Sequence, residues 1–482
     1  MYHEFFRKSA RKDGYFGRLK WYEILLEILM KIVKKLKNFG KTQKNNRKIQ
    51  EKSTKIAKSF SMVGNFCKIQ KMYPIFEITN SSQSGRLGKI TTKHGEIQTP
   101  AFVFCGTKGA LKAQWPQMAR STGTQIMLSN TYHLLVHPGS KLIDELGGLQ
   151  KMTAWHGPMM TDSGGYQIFS LGYGSVSQEL KGIRNTKKTL VKISEEGARF
   201  KSYKNGDEIF LTPEAAMQAQ IDFGADLVFV LDECTAFHIQ KEQTQSSMLR
   251  SQRWAIRSVE YFNQHRKAHQ GVYGIIQGGI YPDLRRKSIE SLNDLDKLGS
   301  FFGVGIGGSL GKDIADMEEV LKIVVSDLAQ FENLEKKPRH LLGIGTIDAI
   351  LMAVPYGIDT FDCVYPTRLA RHGSALVSPD IIEKEFGSTR AKKALEWQKT
   401  RYLNLNNAIY EKDQSPIDKE CNCCTCASFS RAYIHMMLKA GENLAIMALT
   451  EHNIAFMNKF MSSVRNALRN GAWSEFKAAW TR

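Results

Sequence analysis

At 482 residues the chain has room for two or three average domains, or one large barrel with an appendage. Its 42% hydrophobic and 24% charged residues exclude a wholly disordered protein, and its length excludes a small disulfide-stapled one. The formal charge of +20 points to a polyanionic partner, yet +14 of it lies in the first 71 residues, so the rest of the chain is only mildly basic.

Residues 1–72 form a basic extension. Within it, residues 21–39 place Leu25, Leu26, Leu29, Ile32, Val33 and Leu36 at helical spacing with lysines on other faces, which predicts an amphipathic helix on a flexible arm. The apolar stretch 24–33 is broken by Glu27 and Lys31, too short and too charged to span a bilayer. No small-residue cleavage site follows it, so no secretory signal is expected. Cys67, Cys105, Cys234 and Cys363 are scattered singly, as in a reducing compartment, and a cytoplasmic location is the expectation.

From Ala101 onward one phrase repeats. A short apolar run ends in a glycine or polar cluster, and a longer amphipathic stretch follows. The runs are 101–106, 125–130, 158–163, 226–232, 273–277, 302–307, 340–345 and 359–364. Eight buried-type strands alternating with helical stretches predict an α/β fold, a parallel (β/α)8 TIM-like barrel over 73–384. Segment 182–210 fits the repeat poorly and reads as an inserted hairpin. Residues 385–482 are expected to form a metal-binding subdomain with C-terminal helices, opening with helix and connection over 385–419.

The strongest local signal is Cys421-Asn-Cys423-Cys424-Thr-Cys426, followed after 25 residues by His452 in a helical stretch. A tetrahedral zinc takes four thiolate or imidazole ligands. Cys421, Cys423 and Cys426 can meet round one tight turn, and His452 closes the set, with His435 as its competitor. A closed site of this kind is structural, one zinc per chain. Cys424 is surplus.

Asp162, Asp232, Gln277, Gly307 and Asp362 close, or nearly close, apolar runs, and in a parallel barrel those ends converge on one rim. A lone aspartate there is most often a cap or turn former, but several together with clustered glycines suggest a site. Two carboxylates facing one centre suit glycosyl transfer, one as nucleophile and the other as general acid/base.

Several motifs in order then carry a resemblance. Asn130-Thr-Tyr-His-Leu134, Thr161-Asp-Ser-Gly-Gly-Tyr-Gln167, Asp232-Glu-Cys234, Gln277-Gly-Gly279, Ile306-Gly-Gly308, Phe361-Asp-Cys-Val-Tyr-Pro-Thr-Arg368, the cysteine cluster and Thr450-Glu-His-Asn-Ile-Ala-Phe456 resemble tRNA-guanine transglycosylase of the bacterial type. The resemblance runs from about Tyr73 to the end and leaves out the basic extension. It implies exchange of guanine at the wobble position of a tRNA anticodon for a 7-deazaguanine, preQ1 or queuine, in queuosine biosynthesis or salvage. It implies Asp362 as the nucleophile on ribose C1′, through a covalent RNA–aspartyl intermediate, and Asp162 as general acid/base. Asp232, Gln277, Gly307 and Gly308 match the groups that read the purine edge, and Ser163, Gly164, Gly165 and Tyr166 those that frame it. Leu342, Gly343, Thr367, Arg368 and Arg371 match RNA-contacting stretches, and a homodimer is implied.

One departure bears on the base. Gly311 stands where bacterial relatives commonly have valine, which would leave room for a larger 7-substituent such as that of queuine, whereas Cys234 matches the preQ1-type pocket. Two rivals remain: a non-catalytic tRNA-binding partner of the same family, against which both aspartates are present, and an ordinary glycoside hydrolase, against which the cysteine cluster speaks.

Overall fold

The computed structural model describes residues 73–167, 191–299, 301–382 and 401–481. The basic extension with its expected helix, the stretch 168–190 and the expected helical opening over 385–400 lie outside the described residues. Three antiparallel strands come first, β1 (Ile75–Ser82), β2 (Gly85–Thr92) and β3 (Gly95–Thr99).

The barrel follows. Its strands are β4 (Ala101–Cys105), β5 (Met127–Ser129) and β6 (Met159–Thr161), then β10 (Leu227–Phe229), β11 (Gly271–Ile276), β12 (Gly303–Ile306), β13 (Arg339–Leu341) and β14 (Thr360–Cys363). Each overlaps or adjoins one of the eight apolar runs. They close as a parallel barrel, with β14 returning to pair with β4 so that Asp362 lies opposite Val103. The strands are almost wholly buried, because the barrel interior covers one face and a coat of helices covers the other. That double burial is why these segments read as continuous apolar runs instead of alternating ones.

The N-terminal sheet is fastened to the floor, where the strands begin. Arg86 of β2 grips Asp359 through Nε (3.0 Å) and Nη2, and donates to the carbonyls of Glu335 (2.9 Å) and Lys337 (2.8 Å). His94, in the turn between β2 and β3, meets Asp226 at 2.7 Å. This sheet leaves little trace in the residue pattern, since β1 is mostly exposed and carries no apolar face of its own.

Between β6 and β10 the expected hairpin is a larger unit, the antiparallel sheet β7 (Val191–Ile193), β8 (Ala198–Lys201) and β9 (Glu208–Leu211). Val191, Ala198, Phe200 and Leu211 pack with Tyr132 and Trp254 in a satellite core. Only alternate residues face inward, so a third strand is needed to bury that surface.

After the barrel, β15 (Ser374–Leu376) pairs with β16 (Tyr402–Asn404), and a 3-10 turn spans Ala408–Tyr410. Residues 401–419 therefore contain a strand and a short turn, with Leu403, Leu405, Tyr410 and Ile417 in a second core around Cys423 and Cys426. The helix Asn443–Arg469 joins the two cores. Leu449 faces the second, while Phe456, Met457, Phe460, Met461 and Val464 continue the stripe at helical spacing into the first. Among the described residues, no helix is long and apolar enough to cross a membrane.

Candidate active site and metal centre

Three aspartates meet at the rim where the barrel strands end, each held by hydrogen-bond partners other than arginine or lysine among the described residues. Asp162, just after β6, accepts from the Asn130 amide (2.5 Å), the Thr131 backbone N–H (2.8 Å) and the Gln167 amide (2.9 Å). Burial raises its pKa above the ordinary carboxylate value; these donors oppose the rise, and the nearby charge of Asp362 adds to it. The Asn130-Thr131 motif at the end of β5 thus has a mechanical task, to aim this carboxylate.

Asp232, just past β10, accepts from the Ser163 hydroxyl (3.1 Å) and the Gln277 amide (2.6 Å). Burial pushes its pKa up to about 6 against these two donors. Gly165 lies directly against Asp232, in the space a Cβ would need. Gln277 reaches this position from β11, and its other amide atom lies against Gly308.

Asp362 lies on β14, almost buried. Its Oδ1 accepts from the Gly343 backbone N–H (2.7 Å) and meets His340 Nε2 at 3.1 Å, while Cys105 Sγ stands 3.6 Å from Oδ2. Gly343, expected to touch RNA, is thus also a support of the expected nucleophile. Cys105 is buried beside this carboxylate, and burial first, then the charge of Asp362, pushes its thiol pKa well up, so it stays neutral.

The remaining expected residues are spread around this mouth. Tyr166 and Arg368 are exposed, and Arg371, also exposed, turns one guanidinium nitrogen toward the Thr367 carbonyl at 3.3 Å. Thr367 is buried, and its hydroxyl donates to the Val364 carbonyl (3.2 Å), bracing the first turn of the helix Tyr365–Arg371. Leu342 is half-buried and packs against the main core.

Arg285 was not expected. It is fully buried, and its guanidinium donates to the carbonyls of Gly279 (2.8 Å), Ile276 (3.0 Å), Gly307 (2.8 Å) and Ser309 (3.2 Å). One side chain therefore fixes both glycine-rich strand ends beside Gln277. Its five-donor fork explains why an arginine serves here.

Cys421, Cys423, Cys426 and His452 bring one ligand atom each to within 4.8 Å of one another. His452 Nδ1 lies 3.3 Å from Cys426 Sγ and 3.8 Å from Cys423 Sγ, spacings that suit ligands about 2.0–2.3 Å from a shared tetrahedral ion. The other ring nitrogen, Nε2, faces the Leu376 carbonyl at 2.8 Å, the support that turns an imidazole toward a metal. Cys424 is exposed, and the competing His435 is engaged with the Leu405 carbonyl (2.7 Å). Glu451 holds the cysteine turn, accepting from the Cys424 N–H (3.1 Å), the Thr425 N–H (3.0 Å) and the Thr425 hydroxyl (2.5 Å).

A family model described as queuine tRNA-ribosyltransferase matches residues 81–482. A Roseiflexus protein named queuine tRNA-ribosyltransferase is 39% identical over 416 residues, covering 84% of this chain and 98% of its own. A namesake from Chlamydia pneumoniae is 40% identical over 394 residues, covering 81% and 96%. The chain belongs to the queuine tRNA-ribosyltransferase family. It is thereby placed among pentosyltransferases, with an α/β barrel and a three-cysteine, one-histidine cluster that could hold a metal.

Within that family frame, two features have local physical reasons. Gly311 has φ +110, and a Cβ there would run into the side chain of Asp316 in the next helix. Its backbone and packing thus require a glycine, independently of any room for a base. A second His/Asp group on the floor, His94, Asp226 and His269, also gathers within 4.8 Å. Asp226 is already engaged by His94, by the Met159 N–H (3.0 Å) and by Gln150 (3.2 Å), and Lys93, Lys151 and Lys267 line the cleft beside it. That setting suits a pin between sheet and barrel better than a cation site.

Proposed function

We propose that this chain is a tRNA-guanine transglycosylase, exchanging guanine at the anticodon wobble position for preQ1 or queuine by double displacement. The observation that carries the reading is the pair Asp162 and Asp362 at one rim of the closed barrel, just after β6 and on β14, each aimed by its own set of hydrogen-bond partners. Asp362 attacks ribose C1′ and holds the RNA as an aspartyl ester, which splits one poor displacement into two easier ones. Asp162, with its raised pKa, gives a proton to the departing guanine and takes one from the incoming base. Asp232 and Gln277 read the purine edge, with Gly307 and Gly308 letting it approach the backbone. Ser163, Gly164, Gly165 and Tyr166 frame the ring.

The anticodon loop supplies unstacked bases, the usual object of sequence-specific RNA readers. Leu342, Gly343, Thr367, Arg368 and Arg371 form the RNA-facing stretches, with the exposed arginines against phosphates and Thr367 acting through the helix it braces. Cys421, Cys423, Cys426 and His452 hold a structural zinc, which ties the cysteine turn to the long helix when bound. The enzyme works in the cytoplasm as a homodimer, with a barrel domain over 73–384 and a zinc subdomain over 385–482.

The test is incorporation of radiolabelled guanine into unmodified tRNA. Wild-type protein incorporates label, and Asp362→Asn and Asp162→Asn do not. Label retained by either variant at the wild-type rate overturns the reading. Binding of both free deazaguanines to purified protein decides between them.

A further inference from the structure

The two oxygens of Asp362 are held unequally. Among the described residues, Oδ1 has two N–H partners, from Gly343 and His340, whereas Oδ2 has only the weak thiol of Cys105 at 3.6 Å. His340 is fully buried on β13, in register with Thr360 of β14, and its Nδ1 meets the Thr360 hydroxyl at 2.8 Å. A neutral ring that accepts at Nδ1 from the threonine and donates at Nε2 to Asp362 satisfies both contacts at once.

From this asymmetry we propose that Oδ2 is the oxygen that attacks, and that His340, with the Gly343 N–H, stabilises Asp362 as leaving group in the second displacement. The inference rests on the double-displacement reading above. In the first step a lone pair of Oδ2 forms the bond to C1′ as the C1′–N9 bond breaks. The bonding electrons leave with guanine, which takes a proton from Asp162. Oδ1 becomes the carbonyl oxygen of an uncharged ester.

In the second step the incoming base loses its N9 proton to Asp162 and N9 bonds to C1′. The C1′–Oδ2 electrons return to the carboxylate. Charge then spreads onto Oδ1, where the two N–H groups already point. Hydrogen bonds to an ionised acceptor are roughly twice as strong as neutral ones, so these donors favour ester breakdown over ester formation. His340 acts through Asp362 and is a positioning residue.

The test measures the RNA–protein adduct on denaturing gels, in full-length protein with tRNA, together with the rates of adduct formation and of its breakdown by added base. His340→Phe removes the donor, and breakdown slows about tenfold while formation does not, so adduct accumulates. His340→Gln, which keeps an N–H at similar reach, restores breakdown. Thr360→Val frees Nδ1 from its partner and shifts the partition the same way by a smaller factor, which keeps the test open if His340→Phe does not fold. Cys105→Ser puts a stronger donor on Oδ2 and slows formation.

Equal slowing of both steps by His340→Phe, or by Thr360→Val where the former is insoluble, overturns the proposal. So does failure of His340→Gln to restore breakdown, or unchanged formation in Cys105→Ser. Absence of any adduct in wild-type protein, or its persistence in Asp362→Asn, overturns the double-displacement reading itself and is thus told apart.

Discussion

Both ends of the barrel hold aspartates that are wholly or largely buried, and they are partnered in different ways. On the floor, Asp359 is gripped by the Arg86 guanidinium and by the Arg339 backbone N–H (2.7 Å), and Asp226 by His94. On the rim, Asp162, Asp232 and Asp362 are held by amides, a hydroxyl, backbone N–H groups, a thiol and the buried His340 ring, with no guanidinium on them among the described residues. A full cation locks a carboxylate into the fold, because removing either partner strands a buried charge. Partners short of a guanidinium fix its position while leaving an oxygen available, and burial raises the pKa of Asp162 and Asp232, which suits general acid/base work.

The comparison is broken most directly by treating the two ends alike. Asp362→Asn on the rim is expected to lower guanine exchange on the order of 10³-fold or more with little change in thermal unfolding. Asp359→Asn on the floor is expected to do the reverse, costing about 3–5 kcal/mol of stability while the folded fraction still exchanges base. Exchange assays paired with melting curves read both, and a floor variant that is stable yet inactive would erase the distinction.

The thiol cluster sharpens it from a third side. Stripping metal with a chelator is expected to lower the unfolding midpoint, and elemental analysis to return zinc at about one per chain before treatment. Cys424→Ser should leave that stoichiometry alone, whereas Cys426→Ser should lose it.

A smaller effect concerns pH. With the Asp232 pKa pushed up to about 6, its buried carboxyl favours the fold when protonated. That contribution is complete below the ordinary carboxylate pKa and fades as pH rises through about 6. Guanine donates to a carboxylate, so base affinity should run the other way, falling up to about tenfold per unit below pH 6. Titrating binding in wild type and Asp232→Asn checks this, since the variant should bind weakly with no such slope. The smallest effect is at Gly311, where alanine should cost about 1–3 kcal/mol through its positive φ and the Asp316 contact. A change of base preference without loss of stability would restore the pocket explanation of that glycine.

Much of the rim was legible because a polar residue ending a doubly buried strand stands out against its apolar run. Asp162, Asp232 and Asp362 are of this kind. The supports were not. His340 begins a run that reads as core, and nothing nearby in sequence announces that Asp362, 22 residues on, is its partner. Arg285 lies in an ordinary amphipathic helix, and only the folded chain shows its fork turned inward on four carbonyls. The N-terminal sheet was hidden for a related reason, since its purchase on the barrel comes from Arg86 and His94, polar residues whose partners are far along the chain.

The long helix Asn443–Arg469 has one more consequence. His452 serves the thiol cluster, and its neighbour Asn453 accepts from the Leu376 N–H (2.7 Å) and donates to the carbonyls of Pro366 and Ser374 (both 3.0 Å). Pro366 lies four residues beyond Asp362, so adjacent side chains on one rod steady both the thiol cluster and the backbone that follows Asp362. Displacement of those sulfurs therefore has a short mechanical route, through a single helix, to the backbone beside Asp362.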